Sequence, residues 1–230
     1  MCLLSMIGRL KFICRHSTGR DPEEGNKDNS RLWTETYKGS IGETGDRAMD
    51  SKVIIETKRL LLREMNTGDF DALYQILSDP VIMQHYPASF DEDKVKRWIS
   101  WNLDNYEKYG FGLWAVVLKE TGGFIGDCGI TMQNIDGEML PEIGYHIHKM
   151  YWRRGFAKEA AGAVMDWAFL NTGYDAIYSY MKYTNTASYS TAISVGMKKV
   201  KEYPDPVNTV SYACAVTRQD WQEMKKHTSF

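Results

Sequence analysis

The sequence has 230 residues, of which 43% are hydrophobic and 13% aromatic, so it can bury one sizeable core and wholesale disorder is excluded. A formal net charge of -2 and a pI near 6.2 exclude a global basic field for nucleic acid or an anionic membrane, and leave room for a local anion site. The four cysteines are scattered without a C-x-x-C pair, which predicts a reducing, cytoplasmic location with neither a zinc site nor a disulfide framework.

The chain begins with a polar segment. Residues 1–50 are rich in Gly, Ser, Asn and charged residues, with no useful apolar period beyond the first turns, and are expected to form a disordered arm. Arg9 and Lys11 interrupt the apolar start, unlike a secretory signal. Met49 directly precedes the change in texture, which favours an upstream extension of the reading frame before it. Residues 51–230 are expected to form one domain, without the roughly 20 consecutive apolar residues that span a bilayer.

Apolar periodicity and turn residues divide this domain into strands and helices. In chain order the pattern predicts a strand, a turn and a second strand stretch in VIIETKRLLLREM, the helices GDFDALYQILSDP and SFDEDKVKRWISWNLDNYEKYG, the strands LWAVVL and GFIGDCGI joined at KETGG, the strand EIGYHIH, a helix over residues 154–171, the strand AIYSYM, the helix NTASYSTAISVG, and the strands MKKVKEY and TVSYACAV. This order predicts an α/β (α+β) fold with a ligand in the middle of the sheet, where strands end and helices start.

The stretch YWRRGFAKEA lies at such a strand end. A helix N-terminus exposes unpaired N–H groups, Gly155 lets a ligand approach the backbone closely, and Arg153 and Arg154 add charged donors. This is a pyrophosphate site in outline, although Gly155 could simply make the turn beside two solvated arginines. Because neither G-x-x-x-x-G-K-[ST] nor G-x-G-x-x-G is present, P-loop and dinucleotide interpretations lose their main support.

The segment EIGYHIHKMYWRRGFAKEAA resembles the cofactor-binding segment of the GNAT acetyltransferases, and in particular that of the RimJ/RimL-like branch. The family pattern Q/R-x-x-G-x-G/A is matched at Gly155 and Ala157, while Trp152 takes the first position, as is common in that branch. TKRLLLREM and NTASYSTAISVGMKKV are similar to further family segments in the same order, so the resemblance covers about residues 53–217. It implies a GNAT-like mixed, mostly antiparallel central sheet of about seven strands, flanked by helices on both faces.

The resemblance implies that acetyl-CoA binds as cosubstrate, without a metal. Its pyrophosphate is expected on the N–H groups of the turn and its pantetheine arm along the strand edge, as if it were an added strand. Asn185 is expected to face that arm, one helical turn from a serine, although it is also a plausible helix cap. The expected cofactor-binding residues are Ile147, His148, Arg153, Arg154, Gly155, Phe156, Ala157, Asn185 and Ser188.

Acetyl transfer to an amine needs a base, because an ammonium has no lone pair. The resemblance assigns this role to Glu142, whose alternative is an edge-strand carboxylate paired with a lysine or arginine. Strand alternation places His146 on the same face, either as a proton relay or as a structural, cofactor-lining histidine. Many relatives carry a tyrosine acid for the leaving thiolate where this chain has Ala192, so Tyr189 or Ser188 is expected to help, or the thiolate leaves unassisted.

The predicted function is therefore an N-acetyltransferase that moves an acetyl group from acetyl-CoA to a primary amine by direct attack with a general base. The amine could belong to a peptide N-terminus, a polyamine, an aminoglycoside or an amino-acid-like molecule, with the loop QHYPASF on the acceptor side. One alternative is a non-catalytic acyl-CoA-binding sensor or interaction module; another is a generic anion-binding module. No nucleic-acid or membrane partner is expected, and a homodimer formed through an edge strand near the C-terminus is a further hypothesis.

Overall fold

The structure of the chain is a computed structural model that describes residues 51–228. The expectations for residues 1–50, including initiation at Met49, concern residues outside this range. Eight strands form one sheet in the order β1-β2-β3-β4-β5-β6-β8-β7. Their bounds are β1 Val53–Glu56, β2 Leu60–Arg63, β3 Leu113–Leu118, β4 Gly123–Ile135, β5 Glu138–Ile147, β6 Ala176–Lys182, β7 Lys198–Asp205 and β8 Thr209–Thr217.

Neighbouring strands pair antiparallel throughout, except that β5 and β6 are parallel. The predicted GNAT-like mixed sheet is thus confirmed, with eight strands in place of about seven. The two strand stretches predicted in VIIETKRLLLREM are β1 and β2, which form one antiparallel hairpin and count as two strands of the eight.

Five α-helices complete the described part of the chain: α1 Phe70–Leu77, α2 Glu92–Tyr109, α3 Phe156–Asn171, α4 Thr186–Ser194 and α5 Arg218–Thr228. Helix α3, predicted over residues 154–171, buries an alanine-rich stripe in the main core through Ala160, Ala161, Val164 and Ala168. Helix α5 was not predicted. Its signals are the hydrogen bonds between Thr217 and Asp220 at its start, and Trp221, whose ring stacks on Phe169 at 5.2 Å.

Adjacent residues of β5 show that the helices cover both faces of the sheet. The hydroxyl of Tyr145 donates to Ser188 on α4, whereas the ring of His146 lies 5.7 Å from Trp98 on α2. Successive side chains in a strand point to opposite faces, so α2 and α4 lie on opposite sides of the sheet. A ligand entering between strands here would meet groups from both sides.

The hairpin of β4 and β5 is longer than the sequence pattern suggested. Ten consecutive cross-strand pairs run from Gly126 opposite Ile147 to Ile135 opposite Glu138, without a register shift. Asp136 and Gly137 close it with positive φ angles of 52° and 91°, as a D-G turn allows. Because no bulge interrupts this ladder, the strand alternation assumed for β5 holds.

A buried ion pair anchors α1, which precedes the acceptor-side loop. Arg63 Nη1 and Nη2 lie 2.8 and 2.6 Å from Asp69 Oδ2 and Oδ1, and the two side chains are 8% and 7% exposed. We expect Asp69→Ala to lower the free energy of unfolding by about 3–5 kcal/mol, because it leaves the arginine buried without its anion. Exposed Asp71, on α1, supplies the control: Asp71→Ala should cost less than about 1 kcal/mol in urea denaturation. Equal losses for the two variants would contradict this role.

Candidate active-site cleft

The candidate site is a fork in the sheet. β5 and β6 share one parallel pairing, Glu142 with Tyr178, although the strands are 10 and 7 residues long. A cavity of about 610 Å³ opens at this fork. It is lined by β5 from Glu142 to Ile147, the turn into α3, the first turns of α4 and the loop after α1. The ligand was expected at this place in the sheet.

The main chain of β5 directs hydrogen-bonding groups toward this cavity. The N–H groups of His146 and His148 point toward β4, where they donate to the Asp127 carboxylate and to the Ile125 carbonyl at 2.9 Å each. Backbone groups alternate in direction along a strand, so the N–H groups of Tyr145 and Ile147 face the gap toward β6. These two amides can bind an extended ligand as an added strand would.

The structure separates the two strand residues expected to hold the pantetheine arm. Ile147 lines the cavity, and its carbonyl accepts a hydrogen bond from the indole of Trp152 at 2.6 Å. His148 is not among the lining residues: its N–H donates to β4 and its carbonyl accepts from Tyr151 at 2.9 Å. Both main-chain groups of His148 are therefore already used within the chain.

Glu142 lies at the apex of the fork and is only 2% exposed. Its carboxylate accepts from the backbone N–H of Tyr180 on β6, and its Oε2 lies 3.5 Å from the Thr131 hydroxyl. Burial raises the pKa of this carboxyl group, because removal from water disfavours the charged form by more than the nearby hydrogen bonds favour it. Among residues 51–228, no lysine or arginine forms an ion pair with Glu142, so the alternative of a paired edge carboxylate finds no partner there.

The turn before α3 has the geometry of an anion cradle. Gly155 is the N-cap, at φ 79°, and no side chain caps the helix. The N–H of Glu159 donates to the Gly155 carbonyl at 3.0 Å, and the amides that precede it in the first turn have no intrahelical acceptor, so they can donate to a ligand. The turn residues that line the cavity are Trp152, Arg153, Gly155, Phe156, Ala157 and Lys158. A diphosphate fits these donors, and Lys158 adds a charge that sequence reasoning missed.

Arg154 does not line the cavity and instead belongs to a clamp behind the turn. Its carbonyl accepts from Arg59 Nη1 at 2.9 Å, while Arg59 Nε lies 2.6 Å from Glu159 Oε2 and its guanidinium stacks 4.3 Å from the Phe156 ring centre. Thr57 completes the clamp by donating to Glu159 Oε1 at 2.7 Å. The clamp joins the residues at the start of β2 to α3. In the sequence, only the occurrence of TKR and GFAKEA in this order indicated that the two segments belong together.

The first turns of helix α4 form the opposite wall of the cavity. Asn185 Oδ1 caps the helix by accepting from Ser188 N–H at 3.1 Å, and both residues line the cavity. The Tyr145 hydroxyl donates to Ser188 Oγ at 3.2 Å, and burial raises the pKa of Tyr145 to about 12. Tyr189 packs on Tyr212 of β8 at 5.9 Å and is not among the lining residues.

Tyr145 is therefore the tyrosine hydroxyl that the structure places beside α4 in the cavity. The sequence did not indicate Tyr145, because the candidates Tyr189 and Ser188 were sought on α4 alone and Tyr145 lies on the neighbouring strand β5. Ala192 is 3% exposed within the main core and does not line the cavity. Position 192 is therefore a core position in this chain and not part of the cavity wall.

His146 lines the same cavity and is hydrogen-bonded at both ring nitrogens. Nδ1 lies 2.8 Å from Asp127 Oδ1, and Nε2 lies 2.7 Å from the Tyr86 hydroxyl.

Within residues 51–228, no three or more His, Cys, Asp or Glu side chains are grouped as metal ligands would be. Nor does the described chain contain a helix with the length and hydrophobicity to cross a membrane.

Comparison with known proteins agrees with this geometry. The family model of the acetyltransferase (GNAT) domain matches residues 59–198. YkkB of Bacillus subtilis (strain 168) is 33% identical over 163 residues, covering 69% of this chain and 95% of YkkB. The protein named uncharacterized N-acetyltransferase YnaD, from the same organism, is 32% identical over 147 residues, covering 63% of this chain and 82% of YnaD.

A solved structure shares the fold at low sequence identity. RimL, a ribosomal L7/L12 alpha-N-protein acetyltransferase in complex with coenzyme A, superposes with a TM-score of 0.61 at 13% identity, over 72% of this chain and 98% of RimL. The family model spans more than half of the chain and includes both the fork and the turn before α3. The chain therefore belongs to the GNAT family of acetyltransferases.

Proposed function

We propose that this chain, as a RimJ/RimL-like member of its family, transfers an acetyl group from acetyl-CoA to a primary amine on a small molecule or a protein N-terminus. The observation that carries the proposal is the single cavity that joins an uncapped helix N-terminus to a buried carboxylate at the fork. Such a cavity suits a long anionic ligand whose reactive end must lie beside a base. RimL, which has this fold, is a protein acetyltransferase that binds coenzyme A.

Acetyl-CoA supplies the acetyl group as a thioester. The amides of Phe156, Ala157 and Lys158 would donate to its diphosphate, and Arg153 adds a positive charge. The N–H groups facing the gap from β5 would bind the pantetheine arm as an added strand. Asn185 has its carbonyl oxygen in the helix cap, which leaves its amide nitrogen to donate into the cavity.

Glu142 is proposed as the general base. A buried carboxyl group with a raised pKa is a better proton acceptor than an exposed one, because its pKa lies closer to the pH at which the enzyme works. Tyr145 is proposed as the proton donor to the departing sulfur, since its hydroxyl lies in the cavity beside α4. Tyr189, which the sequence suggested for this role, provides the control variant for Tyr145.

The partners and setting follow from the same surfaces. Cys128 and Cys214 are free and buried, which fits a reducing compartment such as the cytoplasm.

Strand β7 is a sheet edge that exposes Lys198, Lys199 and Lys201, and edge lysines oppose pairing with a second copy. We therefore favour a chain that does not dimerise through this edge.

Glu142→Gln should lower kcat by about a hundredfold or more while acetyl-CoA affinity changes less than about twofold, because the amide cannot accept the amine proton. The measurements are thiol release across a panel of polyamines, aminoglycosides and short peptides, and calorimetry with acetyl-CoA. Exposed Glu138, on the same strand, gives the control variant Glu138→Gln. Equal loss of turnover and affinity would show that the carboxylate is structural.

Glu142→Gln should also change how the thermal stability of the enzyme depends on pH. Burial raises the folded-state pKa of Glu142 above its ordinary value of 4.5, so the native enzyme loses stability as pH rises through the range above that value. Glutamine does not titrate. The Tm of Glu142→Gln relative to the unaltered enzyme should therefore be higher at neutral pH than at acidic pH.

Gly155→Val should abolish acetyl-CoA binding while the fold persists, because Gly155 lines the cavity and a β-branched side chain there would take the space that the diphosphate needs. Gly110→Val is the matched control, since Gly110 has φ 75° at the end of α2 with nothing within 4 Å of its Cβ position. Both variants share the backbone strain. If calorimetry gave the same acetyl-CoA affinity for both, the diphosphate site would lie elsewhere.

Tyr145→Phe should lower kcat by about tenfold to a hundredfold, because the sulfur loses its proton donor. Tyr189→Phe should leave kcat within about twofold, since that ring packs on Tyr212. Steady-state thiol release at saturating acetyl-CoA compares the two. The reverse ranking would restore Tyr189 as the acid.

A further inference from the structure

A row of hydrogen-bonded side chains leads from the interior of the sheet to the acceptor end of the cavity. Asp127 on β4 is fully buried, His146 on β5 is 8% exposed, and Tyr86, in the loop after α1, is half-buried. Tyr86 and His146 both line the cavity. The distances are 2.8 Å from Asp127 Oδ1 to His146 Nδ1 and 2.7 Å from His146 Nε2 to the Tyr86 hydroxyl.

The partners of Asp127 favour one direction for these hydrogen bonds. Its Oδ1 accepts the backbone N–H of His146 at 2.9 Å, and its Oδ2 accepts the indole N–H of Trp98 at 3.2 Å. Both of these groups can only donate, and a carboxylate offers acceptors on both oxygens. With Asp127 as a carboxylate, the proton between the two side chains lies on Nδ1 of His146, and Nε2 of the neutral ring accepts from the Tyr86 hydroxyl.

Aromatic packing holds the three groups in line. The Tyr86 ring lies 6.0 Å from Phe90 and 5.6 Å from the His146 ring, and Trp98 lies 5.7 Å from His146. Trp98 thus both donates to Asp127 and packs on the histidine. A phenol oxygen that donates its proton can also accept a hydrogen bond, and Tyr86 lines the cavity, so an amine bound there can donate to it.

We propose that Asp127, His146 and Tyr86 form a relay that deprotonates the acceptor ammonium before attack; this inference rests on the proposed acetyl transfer. An N–H proton of the ammonium passes to the Tyr86 oxygen as the Tyr86 proton passes to His146 Nε2. The resulting imidazolium is stabilised by the Asp127 carboxylate, as in hydrolase triads. Tyr86 is the residue that contacts the amine, and Asp127 is a positioning residue.

The relay leaves a distinct role for Glu142, and the protons balance. The freed amine lone pair forms the C–N bond, the C–S bond breaks, and its electron pair leaves with sulfur. The nitrogen then gives its second proton to Glu142, while sulfur receives a proton from Tyr145. Two protons leave the nitrogen and one reaches sulfur, so one proton is released to solvent when all groups return to their starting states.

The first test reads the His146 tautomer without substrate. In full-length protein labelled with 15N-histidine, the neutral ring of His146 should show a protonated Nδ1 and an unprotonated Nε2, with its signals assigned by their loss in His146→Gln. Asp127→Asn should shift the population toward the Nε2–H form, because the carboxylate no longer holds the Nδ1 proton. A neutral His146 that carries its proton on Nε2 in the unaltered protein would overturn the relay.

The second test is kinetic and uses whichever amine of the panel reacts fastest. Tyr86→Phe keeps the ring but removes the hydroxyl, and should lower kcat by about a hundredfold with KM for acetyl-CoA and Tm little changed. The control is Tyr183→Phe, because Tyr183 is 46% exposed and does not line the cavity. Unchanged kcat, or an effect confined to KM for the amine, would contradict the relay.

The outcomes separate this inference from the proposed function. If the unaltered enzyme acetylates an amine and Glu142→Gln is impaired while Tyr86→Phe and Asp127→Asn are not, the relay is wrong and the acetyl transfer stands. If the unaltered enzyme acetylates no amine in the panel, the proposed function fails and the relay fails with it. If Tyr86→Phe and Glu142→Gln both lose kcat and the tautomer is as expected, both proposals hold.

Discussion

The cleft depends on the early divergence of β5 and β6. The two strands pair at Glu142 and Tyr178, and the Tyr180 amide of β6, two residues further on, donates to the Glu142 carboxylate. The Glu142 side chain thus reaches across to β6 at the point where the strands diverge. The amides of β5 that face the gap are left to a ligand or to water, since buried N–H groups seldom stay unpaired. The proposed base therefore lies at the point where the two strands diverge.

Two carboxylates near the cleft are solvated differently by the protein. Asp127 is fully buried, and its two oxygens have three hydrogen-bond partners: the backbone N–H of His146, the ring Nδ1 of His146 and the indole N–H of Trp98. Glu142 is nearly as buried, and burial is the largest influence on its pKa, which is raised. The two carboxyl groups therefore differ in how well the protein replaces the water that each has lost.

Local patterns predicted the helices and strands near the site, because caps, turns and apolar periods are encoded within a few residues. The cradle at Gly155 was predictable for the same reason: an N-terminal helix turn supplies its own donors. The missed groups, Arg59, Asp127 and Tyr145, act through contacts across the sheet or across the chain, such as the hydrogen bond from Arg59 to Glu159. A register of pairing is needed to place them, and no short segment contains it.

The clamp behind the cradle shows how such a long-range contact serves the site. Glu159 lies in the first turn of α3, where its charge alone would oppose a bound diphosphate. Burial by itself would raise the pKa of Glu159, but hydrogen bonds from Thr57 and Arg59 outweigh it and keep the carboxylate ionised and paired. With its anion neutralised by Arg59, the turn keeps a positive field from its amides, Arg153 and Lys158. The start of β2 and the cradle are consequently one electrostatic unit, although about a hundred residues separate them in sequence.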